Sequence, residues 1–152
     1  MVQVLAEMGH RTGAMSASDP AETQGVNDRW QLALAERELR RRTNKQFLLN
    51  GVTMLDPRQT FIDVTVELGR DVTLFPGTIL QGRTIVGDGA EIGPDTRLVD
   101  CTVGAGATVE NTVGHDSEIG AGAHVGPFAS LGPGSSVTSD QTTGAFYTGR
   151  PG

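Results

Sequence analysis

Residues 62–98 read, in blocks of six, IDVTVE LGRDVT LFPGTI LQGRTI VGDGAE IGPDTR L. Each block opens on a bulky aliphatic residue, and the fifth residue of each block is small or β-branched. A period of six fits neither the 3.6-residue turn of a helix nor simple strand alternation. It is typical of a triangular β-solenoid, in which each hexapeptide supplies a short strand and a corner, and three hexapeptides complete one coil.

The same pattern predicts which side chains form the core. The leading aliphatic of each block should point into the prism, the small residue should leave room beside it, and a following glycine should allow a corner backbone that a Cβ would obstruct. Thr102 is expected among these small inward residues. After Leu98 the phase slips, fits loosely over residues 114–118, and then recovers. The later inward positions are Val103, Val109, Ile119, Val125, Leu131 and Val137. We predict about four stacked coils over residues 62–137.

Charge and glycine content both divide the chain near Asp56-Pro57. Residues 1–60 hold 8 Lys/Arg and 7 Asp/Glu, residues 61–152 hold 4 and 11, and 17 of the 21 glycines lie in the second part. With 37% apolar residues and no run of ~20 apolar residues, the chain is predicted to be soluble rather than membrane-spanning. Four scattered arginines on an acidic body offer phosphates no continuous track, so we expect no nucleic-acid partner.

A long helix is predicted before the repeats. It should begin at Asn27, reach about Leu49 and end near Asn50-Gly51. The run Arg40-Arg41-Arg42 with Lys45 has two interpretations. It is either a phosphate-binding patch or a set of cations that complement the helix dipole and pair with the glutamates at positions 36 and 38. We favour the second.

The cysteine and the histidines indicate little chemistry. Cys101 is the single cysteine, so no internal disulfide can form, and together with the absence of a signal peptide this predicts a cytoplasmic protein. We interpret Cys101 as a small buried filler. His10, His115 and His124 are too scattered for a zinc site, and we expect the last two to face solvent at corners.

The order of segments resembles that of one enzyme family. The run DPAETQGVNDR at residues 19–29, a long helix, the run LNGVTMLDP at residues 49–57 and the hexapeptides follow one another as in the bifunctional uridyltransferase/acetyltransferases that make UDP-N-acetylglucosamine. The resemblance covers residues 1 to about 146. It implies a mainly β chain with a remnant of an α/β nucleotidyltransferase domain at 1–26, a linker helix and connection at 27–56, and a truncated left-handed parallel β-helix at 57–152.

The resemblance also implies substrates, an assembly and site residues. The family transfers acetyl from acetyl-CoA to glucosamine 1-phosphate on a trimeric β-helix, and transfers uridyl from UTP with Mg²⁺ in its other domain. The asparagine that helps hold Mg²⁺ matches Asn27, and the substrate-binding lysine matches Arg150. The arginine that grips the sugar phosphate falls at Gly132, within GPFASLGPG at residues 126–134.

We predict no catalytic residue in this chain. The family's histidine base and its acetyl-CoA coils have no counterpart among the 152 residues, and neither His115 nor His124 matches the base. We therefore expect a piece of the bifunctional enzyme that is inactive alone. Two alternatives stay open: a non-catalytic trimeric scaffold or subunit, and a small hexapeptide protein with a metal site.

Overall fold

The computed structural model describes residue 20 and residues 25–151. His10 and most of the predicted nucleotidyltransferase remnant at residues 1–26 lie outside these described residues. Packing divides the chain into two units, residues 1–35 and residues 36–152, and each is described by itself.

The described residues contain one α-helix, α1, at Arg29–Leu49. Asp28 caps it, because its Oδ1 accepts the backbone N–H of Gln31 at 2.7 Å. The predicted cap at Asn27 is therefore wrong by one residue. A carboxylate is at least as good a cap as an amide, and its charge also complements the positive end of the helix dipole.

The C-terminal end of α1 lies where the sequence predicts it. Gly51 has a φ of +96°, and the N–H of Val52 donates to the carbonyl of Phe47 at 3.1 Å. A glycine in the left-handed region is the usual way to close a helix. No helix within residues 25–151 is long and apolar enough to cross a bilayer.

Sixteen short strands follow α1 in the described part of the chain and form three parallel sheets. The strand orders are β1-β4-β7-β10-β13, β2-β5-β8-β11-β14-β16 and β3-β6-β9-β12-β15. The chain therefore passes through the three sheets in turn and stacks each coil on the previous one. The bounds are β1 Thr53–Met54, β2 Phe61–Ile62, β3 Glu67–Leu68, β4 Thr73–Leu74, β5 Ile79–Gln81, β6 Ile85–Val86, β7 Glu91–Ile92, β8 Arg97–Val99, β9 Thr102–Val103, β10 Thr108–Val109, β11 Val113–His115, β12 Glu118–Ile119, β13 His124–Val125, β14 Ser130–Leu131, β15 Ser136–Val137 and β16 Thr148–Gly149.

This parallel β-solenoid confirms the predicted mainly β fold. Pairing runs from β1 to β16, so the solenoid has about five coils instead of about four. β1 already pairs with β4 although it precedes residue 57, where we placed the start of this domain. A short 3-10 helix, Pro57–Gln59, lies between β1 and β2.

The inward positions are those that the hexapeptide pattern predicts. Ile92 is fully buried, whereas its neighbour Glu91 is exposed. Leu68 is only partly buried, but it packs against the same core. The other predicted aliphatics are buried: Ile62, Leu74, Leu80, Val86, Leu98, Val103, Val109, Ile119, Val125, Leu131 and Val137.

The coils become shorter in the middle of the solenoid. Ile79 pairs with Arg97, 18 residues along the chain, whereas Arg97 pairs with Val113, only 16 residues along. Corners absorb this change, so the strands keep their inward ladder. Cys101 is fully buried in the place that we assigned to Thr102, which is exposed. The prediction for Thr102 is wrong because the corner after β8 is one residue shorter, and the filler role of Cys101 is confirmed.

The shortening also explains the loose fit over residues 114–118. The inward residue of β11 is Gly114, which pairs with Leu98 on one side and Leu131 on the other. A Cβ at position 114 would lie 2.8 Å from Leu98 Cδ2 and 3.2 Å from the sulfur of Cys101. Neighbouring side chains already fill this part of the core, so an aliphatic residue is not accommodated without repacking.

Successive coils meet closely at their corners. A Cβ on Gly87 would lie 2.6 Å from the backbone nitrogen of Ala105, which confirms the predicted need for glycine. Asp100 serves another corner with a φ of +53°, and its Oδ1 accepts the N–H of Arg83 in the previous coil at 2.9 Å. Aspartate tolerates this left-handed conformation better than most residues.

Residues 36–49 of α1 are tied to the first coil by one buried amide. Asn44 Nδ2 donates to the carbonyl oxygens of Pro57 at 2.8 Å and Thr60 at 2.9 Å. Its Oδ1 is buried and has no donor among the residues that the structure describes. Nearby, the Arg40 guanidinium lies 4.3 Å from the centroid of the Phe61 ring, within cation–π range.

Candidate functional site

Two sequence-predicted positions meet where β14 and β16 end. Ser130 pairs with Thr148 and Leu131 pairs with Gly149, so Gly132 and Arg150 are the next residues of two stacked coils. Neighbouring strands lie about 4.8 Å apart. The structure therefore brings these two positions together at one edge of the solenoid, with Arg150 exposed.

Position 132 has room for a side chain. A Cβ built there would meet only the carbonyl oxygen of Gly149, at 3.8 Å, and Gly132 does not have a positive φ. Gly149 differs, because its Cβ would lie 2.9 Å from Leu131 Cδ2 and 3.0 Å from Ser135 Oγ. Packing thus requires glycine at position 149, whereas the absence of the family's arginine at position 132 has no steric cause.

The corner that holds Gly132 is fixed by its own hydrogen bonds. The buried hydroxyl of Ser135 donates to the Gly132 carbonyl at 2.7 Å, and the N–H of Gly134 donates to the Asp116 carbonyl at 2.7 Å. Ser135 also forms an antiparallel bridge with Pro151. The site therefore offers one exposed cation on a defined backbone, which suits binding of an anion rather than proton transfer.

An aromatic pair stands beside this edge, and our sequence reasoning missed it. The rings of Phe128 and Phe146 stack with centroids 5.3 Å apart and an interplanar angle of 19°. Both residues are exposed and have φ values near +60°. Their equal spacing to the pair Ser130 and Thr148 is a sequence signal that could have predicted the stack. The conserved register of the two coils thus joins GPFASLGPG to GAF at residues 144–146.

The histidines do not converge. His115 ends β11 in the sheet of β2, while His124 begins β13 in the sheet of β1, and both are exposed. Their predicted exposure is confirmed, but their predicted corner positions are wrong because both belong to strands. No three His, Cys, Asp or Glu side chains of the described residues form a group that could hold a metal ion.

Asn27 lies just outside α1 and is exposed. Its backbone N–H donates to Gln31 Oε1 at 2.6 Å, and the adjacent carboxylate, Asp28, is engaged as the helix cap. Mg²⁺ requires near-octahedral oxygen ligands, several of them carboxylates, phosphates or waters. The described residues around Asn27 do not make such a set by themselves.

No family model matches the chain. Curated relatives do match it. The "Bifunctional protein GlmU" of Streptomyces avermitilis is 49% identical over 143 residues, which is 94% of this chain and 30% of that protein. The chain belongs to the GlmU family over this segment. The GlmU of Corynebacterium aurimucosum is 47% identical over 146 residues, and that of Geobacillus sp. is 40% identical over 146 residues.

The chain spans only about 30% of the length of these GlmU relatives. The GlmU match includes both the helix and the solenoid, and it confirms the resemblance that the sequence predicts. Solved structures with a related coil include a mutant perosamine N-acetyltransferase from Caulobacter crescentus, which is 18% identical with a TM-score of 0.46 and covers 74% of this chain and 59% of that one. The acetyltransferase domain of PglB from Neisseria gonorrhoeae is 17% identical with a TM-score of 0.42, covering 76% and 66%.

Proposed function

We propose that this chain is a segment of a cytoplasmic enzyme of UDP-N-acetylglucosamine synthesis. The whole enzyme would transfer acetyl from acetyl-CoA to glucosamine 1-phosphate and then uridyl from UTP. The observation that supports this best is 49% identity to a bifunctional GlmU over 94% of the chain. We further propose that these 152 residues alone turn over neither substrate.

In this proposal Arg150 binds the sugar phosphate. A guanidinium forms two parallel hydrogen bonds with a phosphate, so it can replace the family's lysine as an anion anchor. The neighbouring coil offers no second cation, because position 132 is glycine. We therefore expect weak binding of glucosamine 1-phosphate.

Acetyl transfer also needs a base within hydrogen-bond reach of the sugar amine. His115 and His124 lie in different sheets, away from the stacked pair of β14 and β16. Loss of a general base typically costs 10² to 10⁴ in rate. Inactivity of the isolated chain follows from this loss together with the missing anchor.

Magnesium enters the proposal only through Asn27. Its side chain would contribute one amide oxygen, and the triphosphate and carboxylates from elsewhere would complete the ligands. Removal of Mg²⁺ should therefore leave the melting temperature of these 152 residues unchanged.

We also propose a homotrimer. Large apolar side chains remain exposed on the outer surface of the solenoid, among them Phe61, Ile85 and Val113. Burial of such side chains between copies would contribute about 25 cal/mol per Å² of apolar surface. Light scattering at micromolar concentration tests this proposal, and a stable monomer would contradict it.

The decisive experiment assays both half-reactions on the pure chain and measures binding of glucosamine 1-phosphate by calorimetry. We expect no turnover above background and only weak binding, which Gly132→Arg should tighten by about tenfold because one charge-assisted hydrogen-bond pair is restored. Gly132→Gln is the uncharged control. Sustained turnover that Arg150→Ala or Asn27→Ala abolishes would overturn the proposal.

The glycine at position 132 favours one alternative, a non-catalytic trimeric scaffold. A scaffold has no need of the phosphate anchor, and the backbone leaves space for one. A trimer that shows no binding of glucosamine 1-phosphate, even with Gly132→Arg, would support the scaffold over the enzyme segment.

A further inference from the structure

A cavity of about 610 Å³ lies between the C-terminal half of α1 and the 3-10 helix at Pro57–Gln59. We call it the basic groove. Its charged lining consists of Arg37, Arg40, Arg41, Lys45 and Arg58. No carboxylate lines it within the part of the chain that the structure describes, and Leu48 and Pro57 give it an apolar wall.

The ion pairs of α1 neutralise only part of this charge. Arg40 pairs with Glu36 at 3.1 Å, and Arg41 pairs with Glu38 at 2.8 Å. These pairs confirm that nearby glutamates partner the arginine run. The remaining cations of the groove, Arg37, Lys45 and Arg58, form no ion pair with any described residue.

The spacing of the helical cations itself favours a bound anion. Arg37, Arg41 and Lys45 follow one another at i,i+4 intervals, so their side chains share one face of α1. Like charges at this spacing repel each other and destabilise a helix. An anion between them would replace that repulsion with attraction.

The opposite wall is held in place. Asn44 Nδ2 donates to the carbonyl oxygens of Pro57 at 2.8 Å and Thr60 at 2.9 Å, which ties α1 to this segment. Asp56 Oδ1 accepts the N–H of Arg58 at 2.9 Å and fixes the start of the 3-10 helix. The cations of both walls are therefore presented on a connected backbone, which reduces the ordering that binding requires.

We propose that the basic groove binds a phosphate group, with Arg37, Lys45 and Arg58 as its principal ligands. Guanidinium groups match the geometry of phosphate oxygens, and a lysine adds a compact charge. The volume lies within the range of small-molecule sites, about 300–1,000 Å³. Leu48 and Pro57 offer an apolar surface to the organic part of a phosphate ester.

This site is separate from the one proposed at Arg150. The sheet order places β2 and β16 at opposite edges of the same sheet, and the basic groove lies beside the segment that enters β2. Substitutions in the groove should thus leave the Gly132–Arg150 corner unchanged, and the two proposals can fail independently.

The test is calorimetric titration of the full chain with inorganic phosphate and with phenyl phosphate, at 20 and 200 mM NaCl. We expect binding at low salt that weakens at high salt. Lys45→Gln and Arg58→Gln should each weaken it by about fivefold or more, since each removes one charge-assisted contact. Arg83→Gln, an exposed arginine at a solenoid corner outside the groove, is the matched control and should change binding by less than about twofold.

The outcomes separate clearly. Tighter binding of phenyl phosphate would assign the groove to an organic ester, while equal binding would assign it to free phosphate. Helix content by circular dichroism confirms that the variants remain folded. Absence of binding to both probes at low salt, or an equal loss in Arg83→Gln, would overturn the proposal.

Discussion

In the solenoid nearly every strand buries one inward side chain, whereas in α1 the single buried residue is Asn44. The aliphatic ladder runs without a break through stacked coils, and each coil covers the apolar surface of the next. The helix is attached through two hydrogen bonds from one amide and through surface charges. The two regions therefore depend on different physical forces.

This difference teaches where the molecule is sensitive. A stacked core transmits the loss of one inward side chain to both neighbouring coils, because every residue touches residues above and below. Exposed ion pairs contribute little and are weakened by salt. Substitutions of inward residues should thus exceed those of helix charges in their effect on stability.

The largest expected effect is that of Ile92→Asp. It places a carboxylate in the fully buried ladder, beside Leu74 and Val109, with no partner for its charge. We expect a loss of more than ~3 kcal/mol in the free energy of unfolding. Urea denaturation followed by circular dichroism measures it.

The control for this prediction is the adjacent residue. Glu91→Ala changes an outward, exposed side chain and should alter stability by less than ~0.5 kcal/mol. Equal shifts for the two variants would show that the inward register is misassigned.

A second prediction concerns the shortened coils. Gly114→Leu restores the aliphatic that the hexapeptide pattern calls for, but the space is already filled by Leu98 and Cys101. Overpacking of this kind typically costs 1–3 kcal/mol. Thermal unfolding should therefore show a clear loss of stability.

Gly132→Ala is the matched glycine substitution, since its Cβ would only reach van der Waals contact at 3.8 Å. It should be nearly neutral. A stabilising effect of Gly114→Leu would mean that the middle coils have unfilled space and that their shortening has another cause.

The sequence could predict the solenoid because its information is local and repeated. Any single hexapeptide is ambiguous, but an aliphatic at every sixth position from Ile62 to Leu98 fixes both period and inward face. The prediction fails at Thr102, where a corner loses one residue. Corner length depends on contacts with the coils above and below, which one repeat does not encode.

The candidate site was less predictable for the same reason. The positions Gly132 and Arg150 follow from the family resemblance, yet only the pairing of β14 with β16 brings them together. The stack of Phe128 on Phe146 likewise depends on register between coils. The basic groove joins residues of α1 to Arg58, and their proximity depends on the burial of Asn44, which no charge pattern indicates.

The smallest expected effect is in the helix, and it depends on pH. Side-chain hydrogen bonds from Arg41 and then Arg42 lower the pKa of Glu38 from 4.5 to about 2. A lowered folded-state pKa contributes stability above the unfolded value, and this contribution is lost as pH falls from about 4.5 towards 2. Glu38→Gln removes the group, so the melting temperature should fall slightly at pH 7, and the difference from the unmodified chain should vanish near pH 2. Circular dichroism melts at pH 7, 4 and 2.5 measure this, with Glu67→Gln as a matched exposed glutamate for which the structure gives no ion pair with any described residue. Because the pair is exposed, 200 mM salt should shrink the difference further. A Glu38→Gln effect as large as that of Gly114→Leu, or one that persists at pH 2.5, would show that the helix contributes to stability as the core does.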